Sequence, residues 1–310
     1  MNITVVGAGA VGGYFGARLQ EAGAHVTFLV RERRYHELKK HGLHITSVNG
    51  DYTLVDIETV MDSNDISSCD LVLVAVKGYH LEEVISNIQS LVNRGAKVLP
   101  LLNGVEHYEK LQEQFGKESV LGGLCFIITT LDENGHIIHT SQQHDMVFGT
   151  LHESQVKICN DLDKLTKKAN VNALYSNDIL KDIWRKYAFI TAYSGLTTAS
   201  RLPIGPVREE KASVELLQSV LQEMKLLSSA YEVDLGENFV EETVGKMYQL
   251  PADSTSSMHQ DFRKGLQLEV EGLQGGAVRL AQAVELKLSV VETLYALIKP
   301  HEFPKKQKNY

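Results

Sequence analysis

Gly7, Gly9 and Gly12 stand at G-x-G-x-x-G spacing directly after the apolar, β-branched run 3–6. Each is small for a separate reason. Gly7 permits a tight turn, Gly9 lets a pyrophosphate reach the backbone, and Gly12 lets the next helix lie close to the strand. A helix beginning near Ala10 would aim its free N–H groups and the positive end of its dipole at those phosphates. Gly7, Ala8, Gly9, Ala10, Val11 and Gly12 are therefore the expected pyrophosphate turn of a dinucleotide site. The preceding strand and following helix supply the context that the motif needs.

Other residues with chemistry to offer fall at strand ends. The strand over 25–29 runs into Val30-Arg31-Glu32-Arg33-Arg34. An acidic residue at such a point selects the ribose 2′-hydroxyl of NAD, and an arginine accommodates the 2′-phosphate of NADP. Arg31 is the first polar residue and no carboxylate precedes it, so NADP is expected. Arg31 would hold the phosphate, with Arg33 or Arg34 in support. The alternative is that these residues open a solvated helix over 32–40. The apolar run 71–76 stops at Lys77, and the strand over 97–102 stops at Asn103-Gly104. Carboxyl ends of parallel strands face the ligand crevice, which puts Lys77 near a phosphate or the substrate. It puts Asn103 near a nicotinamide ribose or a substrate oxygen, although Asn103 also fits a plain Asn-Gly turn.

Two charges in the second half fall at odd places. On a helix from about 178, Ile179, Ile183, Trp184, Tyr187, Ile190 and Thr191 form one arc at 100° per residue, and Lys186 lies at its edge. Either its stem lines the interface while the amine reaches water, or the ammonium is buried with partners. Glu269, Gly272 and Gly276 share a helix face at i, i+3 and i+7. Interior glycines cost a helix about 1 kcal/mol each, so a close approach is expected there. Glu269 is placed to pair with a lysine across a cleft between domains, or else is a solvated glutamate in a first helical turn.

The elements that position these groups follow from the pattern of the chain. A first helix spans 10–22 and ends at Gly23, and another spans 81–92. Strands fill 43–57 around an Asn49-Gly50 turn. Hairpins follow over 120–130, 137–140 and 145–149, then a helix over 153–168 and a strand over 171–175. From Asp178 on the signal is almost all helix. The expected domains are 1–176 and 177–310. With 310 residues and 43% apolar content the chain has room for two cores. A net charge of −8 argues against general nucleic-acid binding. Cys69, Cys125 and Cys159 form no paired pattern, so neither a disulfide framework nor a metal site is expected, and a cytoplasmic setting is. No run is long enough for a membrane span, and 3–6 is a strand and not a leader. The tail 305–310 reads as a frayed, solvated end.

Taken together, Gly7 to Gly12, Arg31, Lys77 in Val76-Lys77-Gly78-Tyr79, Asn103-Gly104, Trp184-Arg185-Lys186, Ser256-Ser257-Met258-His259-Gln260-Asp261 and Glu269 resemble the ketopantoate reductase (2-dehydropantoate 2-reductase) family over the whole chain. The resemblance implies an α/β Rossmann-type N-terminal domain followed by an all-α C-terminal domain, with NADPH as cofactor. It implies Lys186 as proton donor and Glu269 on the nicotinamide ribose, setting the lysine's environment. Asn103 would touch cofactor and substrate, Lys77 the cofactor, and the stretch from Ser254 to Ser257 the substrate. The family has asparagines where this chain has Ile190, Ser194 and Ile204, and a glutamine where it has His80. Ser194 stays among the expected substrate contacts. The implied reaction is NADPH-dependent reduction of a small 2-oxo acid, 2-dehydropantoate first, in pantothenate biosynthesis. The alternatives are a reductase of a more apolar 2-oxo acid and a non-catalytic NADP-binding sensor. A homodimer through the helical domain is compatible with the sequence, and no metal is implied.

Overall fold

A computed structural model describes residues 1–303; the basic tail 305–310 lies outside them. The chain forms two compact units. The first holds Met1–Leu102 and His107–Ile179; the second holds Asn103–Glu106 and the chain from Leu180 on.

The first unit opens with β1 (Asn2–Val6), α1 (Ala10–Glu21), β2 (His25–Leu29), α2 (Glu32–His41), β3 (Leu43–Ser47), β4 (Tyr52–Leu54) and β5 (Glu58–Val60). It continues with β6 (Leu71–Val74), α3 (Leu81–Val92), β7 (Lys97–Pro100), α4 (Glu106–Phe115), β8 (Gly122–Leu131), β9 (Ile137–Gly149), α5 (Val156–Thr166) and β10 (Asn172–Tyr175). Five strands make an all-parallel sheet in the order β5-β2-β1-β6-β7. Their apolar runs are buried on both faces, with Val5 and all of Leu71, Val72, Leu73 and Val74 at 0% exposure, as helix-covered parallel strands require. The strand order reverses between β1 and β6, which is where such sheets open a crevice for ligands.

A second sheet runs β10-β9-β3-β4, with β8 on β9. The expected hairpins are there as β3–β4 and β8–β9, both antiparallel. Two strands expected over 137–149 are instead one, β9, which also pairs parallel with β3 and β10. The polar stretch 140–143 does not end it because it bulges. Ile127 faces His144 while Thr129 already faces His139. Ser141 Oγ donates to Gln143 O at 2.7 Å, and Asn49 Nδ2 to Gln142 O at 3.2 Å. Such an inserted segment bends a strand without breaking its pairing.

Against this bend α1 places a buried aromatic group. Tyr14 OH lies 2.8 Å from His144 Nδ1, and the His144 ring stacks on His139. His139 Nδ1 lies 2.8 Å from Ser47 Oγ, and its Nε2 lies 3.1 Å from Gln143 O.

The second unit is helical: α6 (Ile179–Ser200), α7 (Ile204–Glu209), α8 (Lys211–Ala230), α9 (Phe239–Gln249), α10 (Ser257–Arg263), α11 (Gly276–Ala283) and α12 (Ser289–Ile298). α8 packs on α7, α9, α11 and α12, through Val220, Leu221, Met224 and Leu227, all at 0% exposure. α12 lacks a capping side chain of its own. Glu223 of α8 supplies one, accepting from Val290 N at 2.9 Å and Val291 N at 2.9 Å, so a tertiary contact satisfies that helix end. The one-sided arc expected for α6 holds only in its first half. From Thr191 to Thr198 every residue is buried.

Burial lowers the pKa of both His139 and His144, so the unfolded chain binds more protons than the folded one just below pH 6.5. Their contribution to stability is present above that pH and is lost as pH falls below it. Urea unfolding at pH 7.5 and 5.5 will show lower stability at 5.5, and the drop will be smaller in His144→Gln. An equal drop in the variant would exclude His144 as a source.

Candidate functional site

In the first unit the turn after β1 is built by contact. Gly7 has φ +94, and a Cβ there would meet Val76 Cγ1 at 2.8 Å. A Cβ on Gly12 would overlap the Gly7 carbonyl and come within 2.9 Å of Ala75 Cβ. α1 therefore starts pressed against the turn and the end of β6. Around Gly9 the situation is opposite: a Cβ would meet nothing within 4 Å. Gly9 is the N-cap of α1, with no side chain capping it and no acid in the first turn. Open space beside an uncapped, uncompensated helix N-terminus suits an anion, and the residues present fit a dinucleotide pyrophosphate.

The three arginines after β2 separate in the structure. Arg34 braces the glycine turn: its Nε donates to Ala8 O at 2.9 Å, and its Nη1 to Gly135 O at 2.9 Å and Glu37 Oε2 at 3.2 Å. Burial lowers its pKa, although Glu37 opposes this. Arg33 is on the surface against Glu37. Arg31 is exposed and pairs with Glu83. Lys77 is half-buried and occupies the N-cap position of a short 3-10 turn, Gly78–His80, that leads into α3. Lys77 and Arg31 thus both follow carboxyl ends of the parallel sheet.

In the second unit, Lys186 is 7% exposed and Glu269 8% exposed. Glu269 is therefore not a solvated first-turn glutamate. The expected face shared by Glu269, Gly272 and Gly276 is corrected. Glu271–Gly275 is a π-helical turn, in which Gly275 N reaches back to Val270 O at 2.9 Å. Wider turns break the 100° count. The close approach is real at Gly276, where a Cβ would come within 2.7 Å of Glu106 Oε2 and 3.0 Å of Tyr187 OH. It is absent at Gly272, whose carbonyl is instead approached by Gly104, at φ +87.

Several contacts hold the π turn. Tyr187, next to Lys186 on α6, donates from its OH to Leu273 O at 2.7 Å. Arg279 grips Glu106 with two nitrogens, at 2.9 and 2.7 Å, and reaches Glu271 Oε2 at 2.7 Å. The segment carrying Asn103 is thus clamped to the turn that follows Glu269. Nothing at G-x-G-like spacing announces Arg279, Glu106 or Tyr187. The one available signal was a single charge within the small-residue helix α11.

The remaining expected contacts are placed as follows. Ser256 Oγ caps α10, accepting from His259 N at 3.1 Å, and lies 3.0 Å from Thr197 Oγ1 of α6. Ser257 is exposed and Ser254 half-buried; the Ser254 carbonyl accepts from Ile204 N at 2.9 Å. Ser194 is buried and its hydroxyl donates to Ile190 O at 2.5 Å. Ile204 is at 0% exposure within the core, whereas Ile190 is half-buried. Among the described residues no group of three His, Cys, Asp or Glu is arranged to hold a metal, and no helix is long and apolar enough to cross a membrane.

The parallel sheet, its switch point and the glycine turn define the first unit as a Rossmann-type dinucleotide-binding fold. The sequence pattern described as ketopantoate reductase PanE/ApbA matches residues 3–153, and that of its C-terminal part matches 178–302. The chain belongs to the ketopantoate reductase family, and it is an oxidoreductase of the class acting on CH–OH groups. A Bacillus subtilis (strain 168) protein named uncharacterized oxidoreductase YkpB is 36% identical, over 98% of this chain and 100% of its own. The solved 2-dehydropantoate 2-reductase of Geobacter metallireducens GS-15 superposes with TM-score 0.90 at 26% identity, over 97% of this chain and 99% of its own. A D-mandelate dehydrogenase, solved with NADH and anilino(oxo)acetate, shares the fold at TM-score 0.87 and 22% identity, over 97% and 98%.

Glu271 is the hub of the ionic network on the π turn. Partial burial acts to raise its pKa, but hydrogen bonds from Lys299, Tyr295 and Arg279 outweigh this and hold it at about 2. A depressed carboxylate stabilises the fold above its unfolded pKa and ceases to do so as pH falls through the folded value. The stability advantage of wild type over Glu271→Gln, read by urea unfolding, should be full at pH 6 and shrink between pH 4.5 and 2. An advantage independent of pH would refute the assignment.

Proposed function

We propose that this protein reduces the ketone of a small 2-oxo acid to the 2-hydroxy acid with NADPH. 2-Dehydropantoate, giving pantoate for pantothenate biosynthesis, is the first candidate substrate. The observation that carries this reading is the burial of Lys186 and Glu269 in the helical unit, in a chain of this family. Buried charges are costly and are concentrated where chemistry needs them.

NADPH, when bound, supplies the hydride that reaches the carbonyl carbon. The backbone from Gly7 to Gly12 holds its pyrophosphate, Arg31 the 2′-phosphate, and Lys77 a further part of the cofactor. Asn103 and Glu269 position the nicotinamide ribose. Lys186 gives a proton to the oxygen that becomes the hydroxyl, as a general acid, and its charge stabilises the developing alkoxide beforehand. Atoms balance as ketone plus hydride plus proton to secondary alcohol. Asn103, Ser194, Ser254 and Ser257 are the proposed substrate contacts beside Lys186. The domain boundary near 176–177, a homodimer through the helices and a cytoplasmic setting complete the reading.

A second substrate has a specific observation behind it. Ile190 and Ile204 offer no amide to a polar substrate, and Ser194 already spends its hydroxyl on Ile190 O. A site lacking such donors loses discrimination for the polar substrate that would have used them. This favours a more apolar 2-oxo acid, and the neighbour solved with anilino(oxo)acetate fits that alternative.

A panel of 2-oxo acids, read as kcat/KM with NADPH and with NADH, decides among these. Turnover of at least one member is expected. Higher kcat/KM for a branched apolar 2-oxo acid than for 2-dehydropantoate would select the second substrate. Cofactor binding without turnover of any would point to an NADP-binding sensor instead. Lys186→Ala should lower kcat about 10²- to 10⁴-fold with little change in NADPH affinity, and unchanged turnover would remove Lys186 from the role.

A further inference from the structure

Arg31 follows β2 as the N-cap of α2. Its Nη2 donates to Glu83 Oε2 at 2.6 Å. Glu83 comes from the first turn of α3, in the segment that follows β6, and its other oxygen lies 2.9 Å from His80 Nδ1. A glutamate in a first turn is favoured by the helix dipole whatever it touches. That explains an acid at this place but not its direction, since the adjacent Glu82 turns to Lys110 instead. Glu83 thus spans the ends of two parallel strands and occupies the guanidinium expected to meet a 2′-phosphate. The Arg31 and Glu83 side chains are 59% and 54% exposed, so charge and not burial holds them together. An incoming phosphate can therefore exchange for the carboxylate.

We propose that Glu83 sets the cofactor selectivity of this site. It neutralises Arg31 when the ribose carries a 2′-hydroxyl, and it must release Arg31 and sit beside a second anion when the ribose carries a 2′-phosphate. Its presence narrows the preference for NADPH over NADH. His80, standing where the family has a glutamine, holds the carboxylate in place for this. The proposal rests on the reading of Arg31 as the 2′-phosphate residue.

An exposed ion pair shifts a binding ratio by only about 2- to 5-fold, and relief of one like charge in water adds a comparable factor. Calorimetric titration of the full chain with NADPH and NADH, without substrate, reads the ratio of the two Kd values directly. Glu83→Gln should raise the preference for NADPH about 3- to 10-fold, by tightening NADPH while leaving NADH unchanged. Glu83→Lys should raise it further, and 0.5 M salt should shrink both gains. A ratio unchanged in both variants, or equal changes for the two cofactors, overturns the role of Glu83. Arg31→Gln separates the two levels. Loss of NADPH affinity with NADH spared supports the Arg31 reading whatever Glu83 does. No change for either cofactor overturns that reading and the Glu83 proposal with it.

Discussion

The closeness of α1 to the turn that precedes it constrains the whole first unit. Gly12 lies on the Gly7 carbonyl and against Ala75, so any side chain larger than hydrogen forces helix and strand apart. This packing points the helix N-terminus at the open space beside Gly9. It also fixes the Ala8 carbonyl, which Arg34 then ties to the tip of the β8–β9 hairpin at Gly135. Arg34, one of three arginines that follow β2, braces the glycine turn. Its planar fork of donors suits that use.

The second unit meets a different difficulty, namely keeping ionisable groups in a helical core. α6 carries Lys186 within a stretch buried over most of its circumference. The π turn 271–275 changes the helical phase just after Glu269, where an α-helix would have continued with a different set of residues facing inward. An irregular turn needs fixing from outside. Tyr187, Arg279, Tyr295 and Lys299 do this through hydrogen bonds to its carbonyls or to Glu271. Removing one member would leave the others incompletely satisfied, so the cluster is expected to behave cooperatively and not as a sum of pairs.

Membership of the family and identity of the substrate are separate questions because different residues decide them. The sequence patterns matched over residues 3–153 and 178–302 define the family without naming a substrate. Of positions 190, 194 and 204, Ile204 lies in the helical core and the Ser194 hydroxyl donates to Ile190 O. Ile190 is half-buried.

Much of this was legible in the chain because it is written in local sterics and periodicity. The run of strand, glycine turn and helix at the N-terminus, the strand ending before Lys77, and the change to helix near Asp178 depend on neighbours within a few residues. The tertiary structure alone decided the rest. Residues 140–143 stay within one strand because Asn49, distant in sequence, pins the bulge. Glu269 is buried ahead of a π turn because packing against Tyr187 and Arg279 overrides the α-helical count. Arg31 and Arg34 are equivalent in a sequence, yet one pairs with an exposed carboxylate and the other braces a backbone turn. Glu83, Ala8 and Gly135 come to them from distant parts of the chain. A side chain's type is local information, but the partner that determines its charge and use arrives only through folding.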